Sequence, residues 1–239
     1  MSKIVTTTVT ADDTNTLTIG ETGDSVNISG DSLNVNALQD AGGNAIFTSD
    51  GSGTVTAGSF PGSMKLISTQ TASGAASVSF TSGLDSTYDV YLFKLFDING
   101  TSDSAEFTFQ VSTNGGSSYG VAITSTGFDA YANEAGSAAA LAYASDQDLA
   151  QSTSFQIFQQ DYGNDNDQNA GGYLELYNPS STTFVKHWIS RSSNYHHSDY
   201  AIDVHRAGYF NTTSAIDAIQ FKMSSGNIDA GTITLYGIN

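Results

Sequence analysis

From Gly171 to Asn239 the chain reads as strand, turn, strand almost without a break. The runs GGYLELYNPSS, TTFVKHWISR, DYAIDVHRAGYF, SAIDAIQFKMSSGN and DAGTITLYGIN alternate apolar with polar residues and stop at Gly, Pro, Asn or Ser. Period-two alternation sends successive side chains to opposite faces, so each run predicts an antiparallel strand with one face buried. The last run, with Ile233, Leu235 and Tyr236 ahead of Gly237 and Ile238, predicts a final strand docked into a sheet. A chain governed by this pattern is expected to be all-β.

The same signal continues upstream. After Phe60-Pro61-Gly62, SMKLISTQTA and ASVSFTS predict a first hairpin. YDVYLFKLFDI, residues 88–98, is apolar at nearly every position, as in a central strand covered on both faces or one at an oligomer interface. Asn99-Gly100 predicts a turn. AEFTFQVST, residues 105–113, then alternates through Phe107, Phe109 and Val111 up to a second turn at Asn114-Gly115-Gly116. TSFQIFQQ at 153–160 predicts strand, and 161–172 an exposed loop. Residues 134–144, EAGSAAALAYA, are the one stretch with helical propensity and predict a short surface helix. Short strands with closely spaced turn signals predict a jelly-roll-like β-sandwich over residues 63–239.

Residues 1–62 are thinner. After KIVTTTVT come short apolar pairs (Leu17 with Ile19, Val26 with Ile28, Leu33 with Val35), then NAIFTS and GTVTAG around Asp50-Gly51. Strands this short bury too little surface to stand alone and need stacked neighbours or identical chains wound about an axis. The segment is expected to be a β-prism or interlaced β-helix that attaches and trimerises the molecule, with a Gly-rich flexible leader as the bland alternative.

Composition narrows the function. Only 13% of residues are charged, with Ser, Thr, Asn and Gly in their place, and 24 acidic against 7 basic residues give a net charge of −17. Such a surface repels nucleic-acid phosphates and anionic lipid, so neither nucleic acid nor membrane insertion is expected. The absence of cysteine excludes disulfides and thiolate metal sites. MSKIVTTTV has no apolar signal-peptide core, which points to a product made in a cytoplasm without Sec-type export.

Unusual residues concentrate at 184–210, which holds His187, His196, His197, His205, Trp188, Lys186, Arg191 and Arg206 with Tyr195, Tyr200 and Tyr209 interleaved. Strands at 182–192 and 199–209, joined by an SSNYHH turn, would lay these groups on one ribbon. Aromatic faces beside hydrogen-bonding groups suit a carbohydrate or a protein anchor, so Trp188, Arg191, Tyr195, His196, His197 and Tyr200 are the candidate binding residues. The plainer reading is ordinary core, with the cations pairing the abundant carboxylates. Adjacent His196 and His197 are expected on opposite strand faces, which disfavours a metal. Asp165, Asp167 and Asn169 have the oxygen spacing of a calcium loop, yet Ala170 and Leu176 stand where an EF-hand needs Gly and Glu. No catalytic motif or nucleotide loop is present, so neither enzymatic activity nor a cofactor is expected.

The pattern TNTLTIGETGDSVNISGDSLNVN…GNAIFTSDGSGTVT resembles the N-terminal part of tail-fibre-like virion proteins of marine bacteriophages. The closing AIDAIQFKMSSGNIDAGTITLYGIN resembles their C-terminal β domain. The resemblance implies a trimeric structural protein on the virion surface, assembled in the host cytoplasm. On this reading the leading segment binds other virion proteins and the larger domain contacts host glycan or protein, as a tail fibre or receptor-binding appendage. A capsid decoration or head-fibre protein fits the same residues, and a bacterial carbohydrate-binding adhesin is a further alternative.

Overall fold

A computed structural model describes residues 37–40, 42–52, 55–57 and 64–238. The chain divides into two compact units, Met1–Phe60 and Pro61–Asn239. Among the described residues every regular element is a strand and no helix occurs.

In the first unit, β1 (Ala37–Gln39), β2 (Ala45–Ser49) and β3 (Val55–Ala57) form an antiparallel meander. The β1–β2 turn is set by Asp40, whose Oδ1 accepts from the backbone N–H groups of Gly42 and Asn44 at 2.8 and 2.9 Å. An Asx side chain that mimics a backbone turn is the usual reason for Asp at this position. The pairs at Leu17, Val26 and Leu33 lie outside the described residues.

The second unit contains β4 (Lys65–Ala75), β5 (Val78–Phe80), β6 (Val90–Gly100), β7 (Ala105–Ser112), β8 (Ile123–Asn133), β9 (Ala139–Tyr143), β10 (Gln156–Tyr162), β11 (Ala170–Tyr177), β12 (Lys186–His196), β13 (Tyr200–Phe210), β14 (Ala218–Met223) and β15 (Ile228–Ile238). They join as one 12-stranded antiparallel sheet that curls into a nearly closed barrel. One run follows the order β4-β15-β6-β11-β12-β13-β8-β9 and the other β10-β7-β14-β5. The two meet through a single ladder pair, Tyr162 with His196.

Strand β6 sits between β15 and β11, the central position its apolar run predicts. Tyr91, Phe93 and Leu95 point inward. Asp97, with φ 51, forms a bulge that returns Ile98 to the interior after two exposed residues. Opposite the bulge, Gly231 at φ 134 lets the backbones close, since a Cβ there would stand 2.7 Å from Ile98 Cδ1 and 3.0 Å from the Asp97 carbonyl. Strand β7 buries both faces. Phe107, Phe109 and Val111 enter the core, while on the other side Gln110 Nε2 donates to the carbonyls of Val121, Thr153 and Ser154 and holds connecting segments over the strand.

The interior has two regions of different chemistry. Between β15-β6-β11 and β5-β14-β7-β10 it is aromatic: Phe107 stacks on Phe221 at 5.9 Å, and Phe80 meets Phe93 edge-on at 5.3 Å. Under β12-β13-β8 it is polar. Ser190, Ser192, Asn194, Arg206, Asp129, Gln147, Gln156 and Gln159 are all buried. Arg206 gives Nη1 to Asp129 Oδ1 at 2.5 Å and Nη2 to Asp129 Oδ2 at 3.1 Å, and also donates to Gln147 Oε1.

Several expectations are corrected. Residues 139–143 form strand β9, paired with β8, and not a helix, because the neighbouring strand offers a ladder that outweighs the propensity of alanine. β4 and β5 do not pair with each other; β4 pairs β15 and β5 pairs β14, so the expected first hairpin opens across the two runs. Asn99-Gly100 lies within β6, with the turn after it. β12 extends through SSNY to His196, leaving only 197–199 to turn the hairpin.

Candidate functional site

The outer face of β12-β13-β8 is set by strict alternation. In β12, Lys186, Trp188, Ser190, Ser192 and Asn194 point inward, while His187, Ile189, Arg191 and Ser193 point out. Trp188 is therefore core: it is 1% exposed and meets Phe109 edge-on at 5.0 Å, so its nomination as a binding residue is corrected. Arg191 is on the surface but committed, with Nε and Nη2 on the Asp203 carboxylate at 3.0 and 2.8 Å. That pairing, aided by His205, holds the Asp203 carboxyl below the usual carboxylate range against a smaller opposing effect of burial.

The other four nominees gather at the hairpin tip. Tyr200 lies edge-on to His196 at 5.6 Å, and Tyr195 donates its hydroxyl to Asp199 at 3.2 Å. The expected divergence of His196 and His197 is also corrected: their rings stack at 4.2 Å because β12 ends at His196 and the chain is already turning. In the candidate calcium loop, Asn169 gives its amide to Asp97 Oδ1 at 3.1 Å, directing the side chain out of the loop. Asp165 and Asp167 belong to no ligand cluster among the described residues.

Register, which the sequence alone did not supply, creates the groove. Three cross-strand rows lie side by side: His187–Tyr209–Thr124, Ile189–Ala207–Thr126, and Arg191–His205–Phe128–Tyr143. Ala207 carries only a methyl group between the rings of Tyr209 and His205, so the middle row forms a floor and the outer rows form walls. One part of the resulting trough, about 410 Å³, is lined by Tyr177, His187, Ile189, Ala207, Tyr209 and Thr124. An adjoining hollow of about 260 Å³ shares Thr126, Ile189 and Ala207 and adds Phe128, Tyr143 and His205.

The walls present ring faces. His187 and Tyr209 lie 6.0 Å apart at 57°, while His205 stacks flat on Phe128 at 4.7 Å and 10°. Hydroxyls sit at the edges: Tyr209 Oη accepts from Gln151 Nε2 at 3.4 Å, and Thr124 Oγ1 accepts from the same amide at 2.5 Å. No lining residue of either hollow is Asp or Glu, on a chain that carries 24 of them. Three neighbouring carboxylates are engaged: Glu175 accepts from Tyr177, Asp148 accepts from Tyr143 at 2.5 Å, and Asp203 pairs with Arg191 and stands 3.4 Å from His205 Nε2. Burial, then Glu175, pushes the Tyr177 hydroxyl up to about 12, so it stays protonated with its proton given to Glu175 and its ring face left to the trough.

Ring faces, hydroxyl and imidazole edges and a floor of Ile189, Ala207 and Thr126 suit a flat ligand with alternating C–H and hydroxyl surfaces. Tyr177, Ile189, Ala207, Thr124 and Thr126 were not singled out from sequence. The period-two parity of His187 and Tyr209 was the available signal, but 117–133 offers only weak alternation. No family model, curated protein or solved structure matches the chain.

Proposed function

We propose that the chain is a phage virion surface protein of the tail-fibre or receptor-binding type, whose larger domain holds a host-surface glycan in the trough over Ala207. The observation that carries this reading is an aromatic-walled, carboxylate-free groove on a strongly acidic chain. Aromatic rings packed against sugar C–H faces supply affinity, and Thr124, His187 and Tyr209 supply polar edges for hydroxyl recognition.

On this reading the domain is a jelly roll with an extension. The strand orders β4-β15-β6-β11 and β5-β14-β7-β10 are those of two four-stranded jelly-roll layers, and β12-β13-β8-β9 lengthen the first layer. The groove lies on the added strands, with Tyr177 at the end of β11 completing it. Homotrimer formation is supported by the edge strand β9, where Ala139–Tyr143 is exposed along its length, uncharged, and carries Leu141 at 70% exposure. Natural edge strands of this kind are blunted by charge or covered by another chain. Residues 1–62 then serve attachment to other virion proteins.

The test is binding of the purified full chain to immobilised host-surface polysaccharide. Tyr209→Ala and Tyr177→Ala should each weaken it about tenfold, the scale of one stacking contact at 1–1.5 kcal/mol, with the melting temperature unchanged. Binding that persists in the Tyr177→Ala/Tyr209→Ala double variant removes the groove assignment.

A further inference from the structure

We propose that Asp161, His196 and His197 form a site for one divalent transition-metal ion of the zinc or nickel type. One donor atom from each residue lies within 4.8 Å of the other two. The residues come from both runs of the barrel, at its seam. Asp161 is in β10, adjacent to the single rung where Tyr162 pairs with His196, and its carbonyl accepts from His197 N–H at 3.2 Å.

The local backbone is shaped to bring the side chains together. Asp161 has φ 50 and Asp199, at the end of the turn, has φ 61. For residues other than glycine this left-handed conformation is uncommon and persists where surroundings impose it. Its result is that two consecutive histidines share one side and face a carboxylate.

His196 Nε2 stands 3.6 Å from Asp161 Oδ2, beyond hydrogen-bond length. That separation is near the edge of a tetrahedron with metal–ligand bonds of about 2.0–2.1 Å, which is about 3.4 Å. Two imidazoles with one carboxylate select borderline transition ions over calcium or magnesium, which prefer all-oxygen sites. The neutral imidazole is the form that binds a metal.

Ser198 positions both rings. Its N–H donates to His196 Nδ1 and its hydroxyl meets His197 Nδ1, each at 3.0 Å, leaving Nε2 of each ring as the edge for an ion. With Nδ1 accepting, neutral His196 carries its proton on Nε2. Metal uptake therefore shifts that proton to Nδ1 and releases the Ser198 N–H bond. This keeps affinity below that of a closed four-ligand site and leaves the remaining coordination positions to water. A bound ion would clamp β10 to β12.

The test is titration of the full chain with Zn²⁺, Ni²⁺ and Ca²⁺ against a chromophoric chelator, with melting temperature followed in parallel. One Zn²⁺ or Ni²⁺ per chain is expected, with a melting temperature that rises with metal. Ca²⁺ should not compete. His197→Ala, in the turn and outside the core, and Asp161→Asn should each weaken binding about tenfold or more, while Asp165→Asn leaves it unchanged. Absence of binding, calcium preferred over zinc, or zinc binding indifferent to His197→Ala overturns the proposal.

Discussion

The aromatic and polar halves of the barrel interior solve the same packing problem with different physics. Between β6 and β7 the core is phenylalanine against phenylalanine, with Phe93, Phe107, Phe109 and Phe221 essentially unexposed. Under β12, β13 and β8 the interior is a hydrogen-bonded network around one ion pair, Arg206 with Asp129, whose side chains are 0% and 8% exposed. Dispersion and desolvation are non-directional, so the aromatic half depends on filling volume rather than on aiming individual donors and acceptors. The polar half requires each partner in place, because an unpaired buried charge is far more costly than a small void. The proposed groove lies over the polar half.

Four substitutions test that contrast. The largest expected effect is where β12 meets the aromatic half, at the contact of Trp188 with Phe109: Trp188→Ala should destabilise by about 3–5 kcal/mol, read by denaturant unfolding. A loss under 1 kcal/mol would mean that the ring is not packed as found. Next, Asp129→Ala strands the Arg206 guanidinium and should destabilise by about 3 kcal/mol. The double variant Asp129→Leu/Arg206→Met should recover most of that loss, whereas truncation in the aromatic half has no such partner. Failure of the double variant to recover stability would show that the pair is more than a compensated charge.

A smaller effect concerns pH. His196 titrates near 6.5 in the unfolded chain and lower in the folded one. Between those values the unfolded chain holds the proton and the folded chain does not, so stability rises with pH across the window. The contribution is fully present above about 6.5 and lost as pH falls through the folded value. His196→Gln should flatten the slope of melting temperature between pH 5 and pH 7, and an unaltered slope would assign it to another group. The smallest change is at the surface: Arg191→Ala, which removes an exposed pair with Asp203, should leave the melting curve within error.

The sequence disclosed strands wherever alternation was clean. Phe107, Phe109 and Val111 could be placed on one face of β7, and the apolar run at 88–98 could be recognised as central. What it hid was parity and register. Trp188 was grouped with the histidines, arginines and tyrosines of 184–210 as a candidate binding residue, yet His187 and Arg191 are the outward residues of β12 and the tryptophan occupies the inward step. Ala139–Tyr143 read as helix because alanine favours helices in isolation, while pairing with β8 decided the outcome. His196 and His197 were assigned to opposite faces by a strand rule that stops applying one residue before the turn. The groove over Ala207 depends on which strands are neighbours, and paired residues of β8 and β13 lie 67 to 87 positions apart in the chain, from Asn133 with Tyr200 to Ile123 with Phe210.

The lone rung between Tyr162 and His196 has a consequence for how this molecule can change. Because backbone pairing scarcely couples the two runs of strands, their spacing and tilt are decided by side-chain interlock and by the few groups at that junction. Substitutions that thicken or thin the interior can let one run shift against the other at the cost of no ladder but that one rung. The surface carried by β12, β13 and β8 can then be re-aimed while strand neighbours within each run are kept, a freedom that a fully laced cylinder would not offer.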